Sequence, residues 1–258
     1  MKLVFGKRFL PAALALSAAI FTCAASNARV AQPFAAQVTQ SPQAPGKDNI
    51  RPQDSSKAII QPVSKRVSEP VSYTYEFSQP EFFIRHIVIE HNENGVGKIS
   101  FERKSEEVTI VEPIEVSPAA LSRISTLWES LQFLDSETNY QSSRQFPHLG
   151  TMRIAMAQGT RKRTAEFNWT NNTGASSLVN EYRRVADQAI FIFDLSVSRE
   201  NQPLNSPKLM EQLEAMLRRN WLSDPQQLIP LLKDVSIDEH LPLIARNHAL
   251  RLIKKIEK

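Results

Sequence analysis

The sequence is poor in cysteine: its 258 residues contain a single one, Cys23. One thiol cannot form a disulfide within the chain, and Cys23 lies in an N-terminal segment that we expect to be removed. The mature protein is therefore predicted to lack a disulfide, a thiol nucleophile and a cysteine-based metal site. Without disulfides, hydrophobic packing must hold the fold together, and a chain of this length is long enough to bury a core.

Glycine is also scarce, with 7 residues in the chain. The sequence contains no phosphate-binding loop, dinucleotide-binding fingerprint or Gly-x-Ser-x-Gly nucleophile elbow. Strand and helix patterns do not alternate as βαβ units, which argues against a doubly wound nucleotide-binding fold. We therefore predict no cofactor and assign no catalytic residue from a motif.

The N-terminus has the pattern of a signal peptide over residues 1–28. Lys2, Lys7 and Arg8 precede an uncharged apolar run over residues 9–25, and small residues follow at 26–28. The run is shorter than the ~20 residues of a membrane-spanning helix. We expect export to the periplasm or the extracellular space, with a retained membrane anchor or lipidation at Cys23 as alternatives.

The net charge of +4 depends on that N-terminal segment. The chain has 31 Lys and Arg against 27 Asp and Glu, and three of the basic residues lie within residues 1–28, which contain no acidic residue. The remainder has 28 basic and 27 acidic residues, a net charge of +1. This balance gives no electrostatic case for binding nucleic acid.

Residues 29–70 are predicted to form a flexible linker. The segment is rich in Pro, Ser and Gln and has too few apolar residues to offset the entropy of ordering it. Its prolines prevent a long helix or strand, and they are Pro33, Pro42, Pro45, Pro52, Pro62 and Pro70.

Residues 71–200 are predicted to form an α+β domain. Apolar and polar residues alternate as in half-buried strands over 72–77, 82–90, 98–103 and 108–114, and again in a hairpin over 152–169. Asn94-Gly95 indicates the turn of a first hairpin. Ser117-Pro118 begins a predicted amphipathic helix, and a second one covers about 176–193. We expect an antiparallel sheet of five to six strands with two helices packed on one face.

The last part of the chain, residues 201–258, is predicted to be a helical tail. Residues 224–234 and 244–253 resemble a single HEAT-type helical pair. HEAT repeats stack to bury their faces, and one unit alone cannot do so. We therefore expect this tail to dock on the sheet domain.

Three residues near the second hairpin are the predicted binding residues. Trp169 ends the hairpin, and Arg161 and Arg163 follow its turn at positions that share a strand face with Phe167. An aromatic and arginine face would bind a glycan, a peptide or an acidic envelope polymer. The alternative is a core Trp169 with two solvated arginines.

The histidines do not have the spacing of a metal site. No two of them are four residues apart, and His86 and His91 lie on opposite faces of one predicted strand. We predict no metal site. His148, in a loop before Gly150, is the residue that a dispersed acid/base site would use if it met carboxylates in a cleft.

The order of segments resembles that of uncharacterised secreted bacterial proteins in which a signal peptide and a proline-rich linker precede a small α+β domain. That resemblance is architectural and implies no activity. We expect an exported, non-catalytic binding or interaction module for an envelope protein, peptide or glycan, with an exposed apolar patch. The alternatives are a hydrolase with a dispersed acid/base site and an inhibitor or chaperone-like accessory protein.

Overall fold

The computed structural model describes residues 69–258. The predicted signal peptide, residues 1–28 including Cys23, lies outside the described residues. So does the predicted linker 29–70, except for Glu69 and Pro70.

Six strands form one antiparallel sheet, which confirms the predicted α+β class. The strands are β1 (Val71–Ser78), β2 (Ile84–Asn92), β3 (Val96–Arg103), β4 (Ile110–Glu115), β5 (Thr151–Gln158) and β6 (Arg161–Phe167). Their order across the sheet is β4-β3-β2-β1-β5-β6. Between β2 and β3, Gly95 has a φ of 79°, a conformation that favours glycine, as the predicted hairpin turn requires.

Two helices pack on one face of this sheet, as predicted. Helix α1 (Pro118–Ser130) begins where expected, because the Ser117 side chain accepts a hydrogen bond from Ala120 N–H at 3.2 Å. Helix α2 (Thr173–Asn201) is longer at both ends than the predicted 176–193. Its N-terminus is capped by the Asn172 side chain, and its C-terminal part packs against the tail.

Two predicted strands differ from the observed ones at their starts. Phe82 and Phe83 were predicted to open β2 but precede it, because the chain makes a turn in which Phe82 N–H donates to Gln79 O at 3.0 Å. Val108 was predicted to open β4 but lies exposed in the preceding loop. In both cases an apolar side chain faces solvent, so alternation alone could not place the boundary.

The face of the sheet away from the helices carries a row of charges across five strands. Glu102 and His86 are register partners on β3 and β2, and Glu76, Arg153 and Glu166 are register partners on β1, β5 and β6. His86 lies diagonally across from Glu76. Glu76 contacts His86 at 3.1 Å and Arg153 at 3.0 Å. This face therefore remains hydrated, and the apolar core lies on the helix side.

A buried hydrogen-bond chain fixes α1 and α2 to the sheet. Trp128 Nε1–H of α1 donates to the Tyr182 hydroxyl of α2 at 3.0 Å, and that hydroxyl lies 2.8 Å from His91 Nε2 of β2. The His91 Nδ1–H donates to Asn92 O at 2.8 Å, so Nε2 is the acceptor for Tyr182. The side-chain nitrogens of Trp128 and His91 and the Tyr182 hydroxyl are thus all paired. Burial lowers the pKa of His91.

The helical tail contains α3 (Ser206–Arg218), α4 (Ile229–Ile237) and α5 (Leu243–Ile256). Their apolar residues form a second core cluster, which Phe191 and Leu195 of α2 join. Polar contacts also reach the sheet domain: Arg123 Nη2–H donates to Ser223 O at 2.6 Å, and Gln227 Nε2–H donates to Glu115 O at 3.2 Å. Over residues 69–258, no helix has the length and apolar character that a membrane span requires.

Candidate functional site

The candidate site is a cavity beside α2, over the part of the sheet that α1 does not cover. Helix α1 packs at one end of β1, where the rings of Trp128 and Tyr73 are 5.5 Å apart. The 13-residue helix leaves the other end of β1 free. There the sheet, α2 and three loops enclose a cavity of about 820 Å³.

The floor of the cavity is a row of apolar side chains on four adjacent strands. Ile87, Phe77, Met152 and Phe167 are direct register partners across β2, β1, β5 and β6. All four line the cavity. The same period-2 alternation that places the charge row on one face of the sheet places this apolar row on the other.

One side of α2 forms the wall. The lining residues fall at spacings of three and four, as one helix face requires, and they are Ser176, Val179, Asn180, Arg183, Ala186, Asp187 and Ile190. From the first to the last, the wall extends about 21 Å at the helical rise per residue. The cavity is therefore elongated along α2.

Three exposed aromatic side chains stand at the rim. Phe82 is 44% exposed, Phe83 64% and Trp169 43%, and all three line the cavity. Large apolar side chains usually lie inside a fold, so three of them exposed around one opening mark this region of the surface as a candidate contact site.

Hydrogen bonds between loops hold the rim in place. Gln79 Nε2–H donates to Pro147 O at 3.0 Å, which joins the β1–β2 loop to the loop before β5. Gly150 in that loop has a φ of 90°, and a Cβ there would meet the Phe77 ring at 2.6 Å. Asn168, next to Trp169, exchanges hydrogen bonds with the Gln141 side chain at 2.9 and 3.1 Å. The aromatic rim is thus built on anchored loops.

The cavity contains three polar groups of chemical interest. The Tyr75 hydroxyl is fully buried and has no hydrogen-bond partner among the described residues. Arg183 Nη2–H donates to the Met152 sulfur at 3.3 Å, and its guanidinium lies 5.7 Å from the centre of the Phe77 ring. Asp187 follows one helical turn later and keeps contact with solvent through the opening.

Burial changes the acidity of two of these groups. Burial raises the pKa of Tyr75 to about 12, although the nearby Arg183 guanidinium works in the opposite direction. The crowded, concave surroundings of Asp187 raise its pKa to about 6, and the charge of Arg183 lowers it only in part. A carboxyl with that pKa is a potential acid or base near neutral pH.

The structure places the three predicted binding residues in two different surroundings. Trp169 lies at the cavity rim, with its ring 5.3 Å from that of Phe146. Arg163 donates to Phe133 O at 2.7 Å and to Thr138 O at 2.6 Å. Arg161 forms an ion pair with Asp135. The two arginines therefore hold the loop after α1, and neither lines the cavity.

His148 lies beside the cavity but does not line it. It occupies a short 3₁₀ turn, Pro147–Leu149, and its ring packs edge-on against Phe146 at 6.0 Å. In the described part of the chain no carboxylate is hydrogen-bonded to it; the carboxyl of raised pKa in the cavity is Asp187. Residues 69–258 also contain no group of three or more His, Cys, Asp or Glu side chains suited to hold a metal ion.

The sequence matches no protein-family model, and no curated protein is significantly similar to it. The arrangement of the residues themselves is therefore the basis for a functional proposal.

Proposed function

We propose that this chain is an exported, non-catalytic binding protein whose ligand is an elongated apolar small molecule held in the cavity beside α2. The observation that carries the proposal is the aromatic rim of Phe82, Phe83 and Trp169 around a cavity of about 820 Å³. Small-molecule sites are concave, mostly apolar and furnished with a few polar groups, and this cavity has each of these properties.

A small apolar ligand fits this site better than the glycan or acidic polymer considered from the sequence. Arg161 and Arg163, which would recognise such a polymer, are engaged with the loop after α1. The floor of the cavity is instead apolar, and burying it against an apolar chain yields about 25 cal/mol per Å² of surface removed from water. We choose a small molecule over the envelope protein or peptide partner expected from the sequence because the site is a concave cavity.

Calorimetric titration with decanol tests the proposal. Asn180→Trp places a large ring at the exposed cavity wall without disturbing the core, and it should abolish decanol binding. Ser177→Trp adds the same ring on the same helix at an exposed position outside the cavity lining, and it should bind decanol like the unmodified protein. Equal binding by both variants, or no binding by the unmodified protein, would contradict the proposal.

Asp187 favours a second candidate function, a hydrolase acting on an apolar ester. A carboxyl with a pKa of about 6 in an apolar cavity has the acidity of a general base. The test is hydrolysis of p-nitrophenyl decanoate by the unmodified protein and by Asp187→Asn. Turnover that the substitution abolishes would establish an enzyme, and the absence of turnover by a protein that binds decanol supports a binding protein.

Export is part of the proposal and rests on the N-terminal sequence pattern. Expression of the full chain in a bacterium, followed by fractionation and mass measurement, should give a periplasmic or secreted product that begins near Arg29. A product of full length, or one lipidated at Cys23, would replace this part of the proposal with the membrane-anchored alternatives.

A further inference from the structure

We propose that the cavity selects a long-chain monocarboxylate, with the ligand carboxylate bound by Arg183 and the Tyr75 hydroxyl and the apolar chain lying along α2. This inference rests on the proposed function and adds to it the charge and the orientation of the ligand.

Arg183 is a cation that faces the cavity without an anionic partner of its own. Its guanidinium donates to a thioether, Met152 Sδ, which is a weak acceptor, and lies close to the Tyr75 hydroxyl. In the described part of the chain it belongs to no ion pair, whereas its neighbour Arg184 donates to Glu181 at 2.7 Å. A guanidinium presents donors in a fork that matches both oxygens of a carboxylate. The site thus offers charged donors that are free to bind an anion.

Tyr75 supplies an independent indication. The Tyr75 side chain lines the cavity, and its buried hydroxyl lies close to Arg183. Because a guanidinium has no acceptor, the O–H of Tyr75 donates to no group among the described residues. An unpaired buried hydroxyl is costly, and a phenylalanine would fill the same space without that cost. Its neighbour Tyr182, whose ring stacks on that of Tyr75 at 5.2 Å, has its hydroxyl fully paired. The unmatched donor is explained if a ligand oxygen is its partner.

Asp187 is the one acidic side chain that lines this cavity among the described residues, and it opposes an anion. Two features limit its effect. Arg183 remains fully charged at every relevant pH, and the Asp187 side chain is exposed to water, which screens its charge. Donors from both Arg183 and Tyr75 therefore face a single competing carboxyl.

The length of the α2 wall suits a ligand with an alkyl chain of moderate length. Arg183 lies midway between Ser176 and Ile190, which leaves about 10 Å of helix wall on either side at the helical rise per residue. A ten-carbon chain occupies such a length when extended, so decanoate, decanol and decylammonium form a probe series that differs only in the head group.

The test is calorimetric titration of the intact protein with these three probes at about pH 8. We expect decanoate to bind roughly tenfold or more tightly than decanol, since hydrogen bonds to charged groups contribute more than neutral ones. Decylammonium should bind more weakly than decanol. Equal affinities for decanoate and decanol, or tightest binding of decylammonium, would overturn this inference while leaving the apolar-ligand proposal in place. Absence of binding by all three probes would overturn both.

Matched variants locate the carboxylate. Arg183→Met keeps an apolar stem and removes the charge, so decanoate and decanol should bind this variant with equal affinity. Arg184→Met, on the same helix but outside the cavity lining, should retain the preference. Tyr75→Phe should weaken decanoate binding severalfold. A preference that survives both Arg183→Met and Tyr75→Phe would contradict the assignment; the comparison of probes on the unmodified protein stands even if one variant fails to fold.

Discussion

The Tyr182 hydroxyl lies 2.8 Å from His91 Nε2 and joins helix α2 to the centre of the sheet. The same hydroxyl accepts from Trp128 Nε1–H, so one oxygen pairs two buried groups from two other elements. Tyr75, stacked beside Tyr182, has a buried hydroxyl with no partner. These neighbouring tyrosines therefore have opposite roles, one in stability and the other, on our account, in binding.

Removing the two hydroxyls should have opposite effects on stability. Tyr182→Phe leaves His91 and Trp128 with unpaired buried polar atoms, so the free energy of unfolding should fall by about 2 to 4 kcal/mol. Tyr75→Phe removes an unpaired buried hydroxyl, so stability should be unchanged or higher. Urea unfolding followed by circular dichroism measures both. Comparable losses in the two variants would show that Tyr75 has a structural partner after all.

The Asp187 carboxyl is expected to destabilise the fold at neutral pH. The Asp187 side chain is exposed at the cavity opening, and partial desolvation by the surrounding cavity raises its pKa from 3.8 to about 6 in the folded state. Between these values the folded chain holds a proton that the unfolded chain has lost, so stability from this group falls as the pH rises through that window.

Asp187→Asn should therefore raise the urea midpoint at about pH 7.5 and lose this advantage at about pH 4. Asp135→Asn, at an exposed ion pair with Arg161, is the control and should show no such gain at neutral pH. If Asp187→Asn still raises the urea midpoint at low pH, the increase has a cause other than the ionisation of Asp187.

His91 is expected to make the fold less stable in mild acid. Burial lowers its folded-state pKa below the ordinary value of about 6.5, so the unfolded chain takes up a proton before the folded one does. The contribution of His91 to the free energy of unfolding is complete above about pH 6.5. It is lost as the pH falls from there towards the pKa of His91 in the folded state. Histidine proton signals in the nuclear magnetic resonance spectrum give this pKa directly. A His91 pKa above 6.5 in the folded protein would reverse the expected slope.

Much of the fold could be predicted because the chain uses regular patterns. Tyr73, Tyr75 and Phe77 alternate with polar residues because β1 is half-buried, and Ser117-Pro118 begins α1 because a serine cap and a proline suit a helix N-terminus. The full length of α2 was missed. The apolar stripe predicts a helix that ends at Phe193, whereas Leu195 lies in the same helix and packs into the cluster of the tail. The pattern of a single helix does not reveal that contact.

The site was less accessible to sequence reasoning. The position of Trp169 after the hairpin predicts a binding residue, and Trp169 lies at the rim of the cavity. Arg183 and Asp187 were missed because, at a spacing of four on an amphipathic helix, they have the pattern of a solvated pair. They enter a cavity only because α1 covers part of the sheet and leaves Phe77 and Met152 as a floor, which is a property of the tertiary packing.

The most direct test of a ligand in this cavity uses the three tryptophans of the chain as position markers. Trp169 lies at the rim, Trp128 is buried in the core and Trp221 is exposed on the tail. Decanol carrying a bromine atom quenches fluorescence only on close contact. We expect saturable quenching in the unmodified protein and in Trp221→Phe, and its loss in Trp169→Phe. Quenching that disappears in Trp221→Phe and persists in Trp169→Phe would place the ligand on the tail and contradict the account.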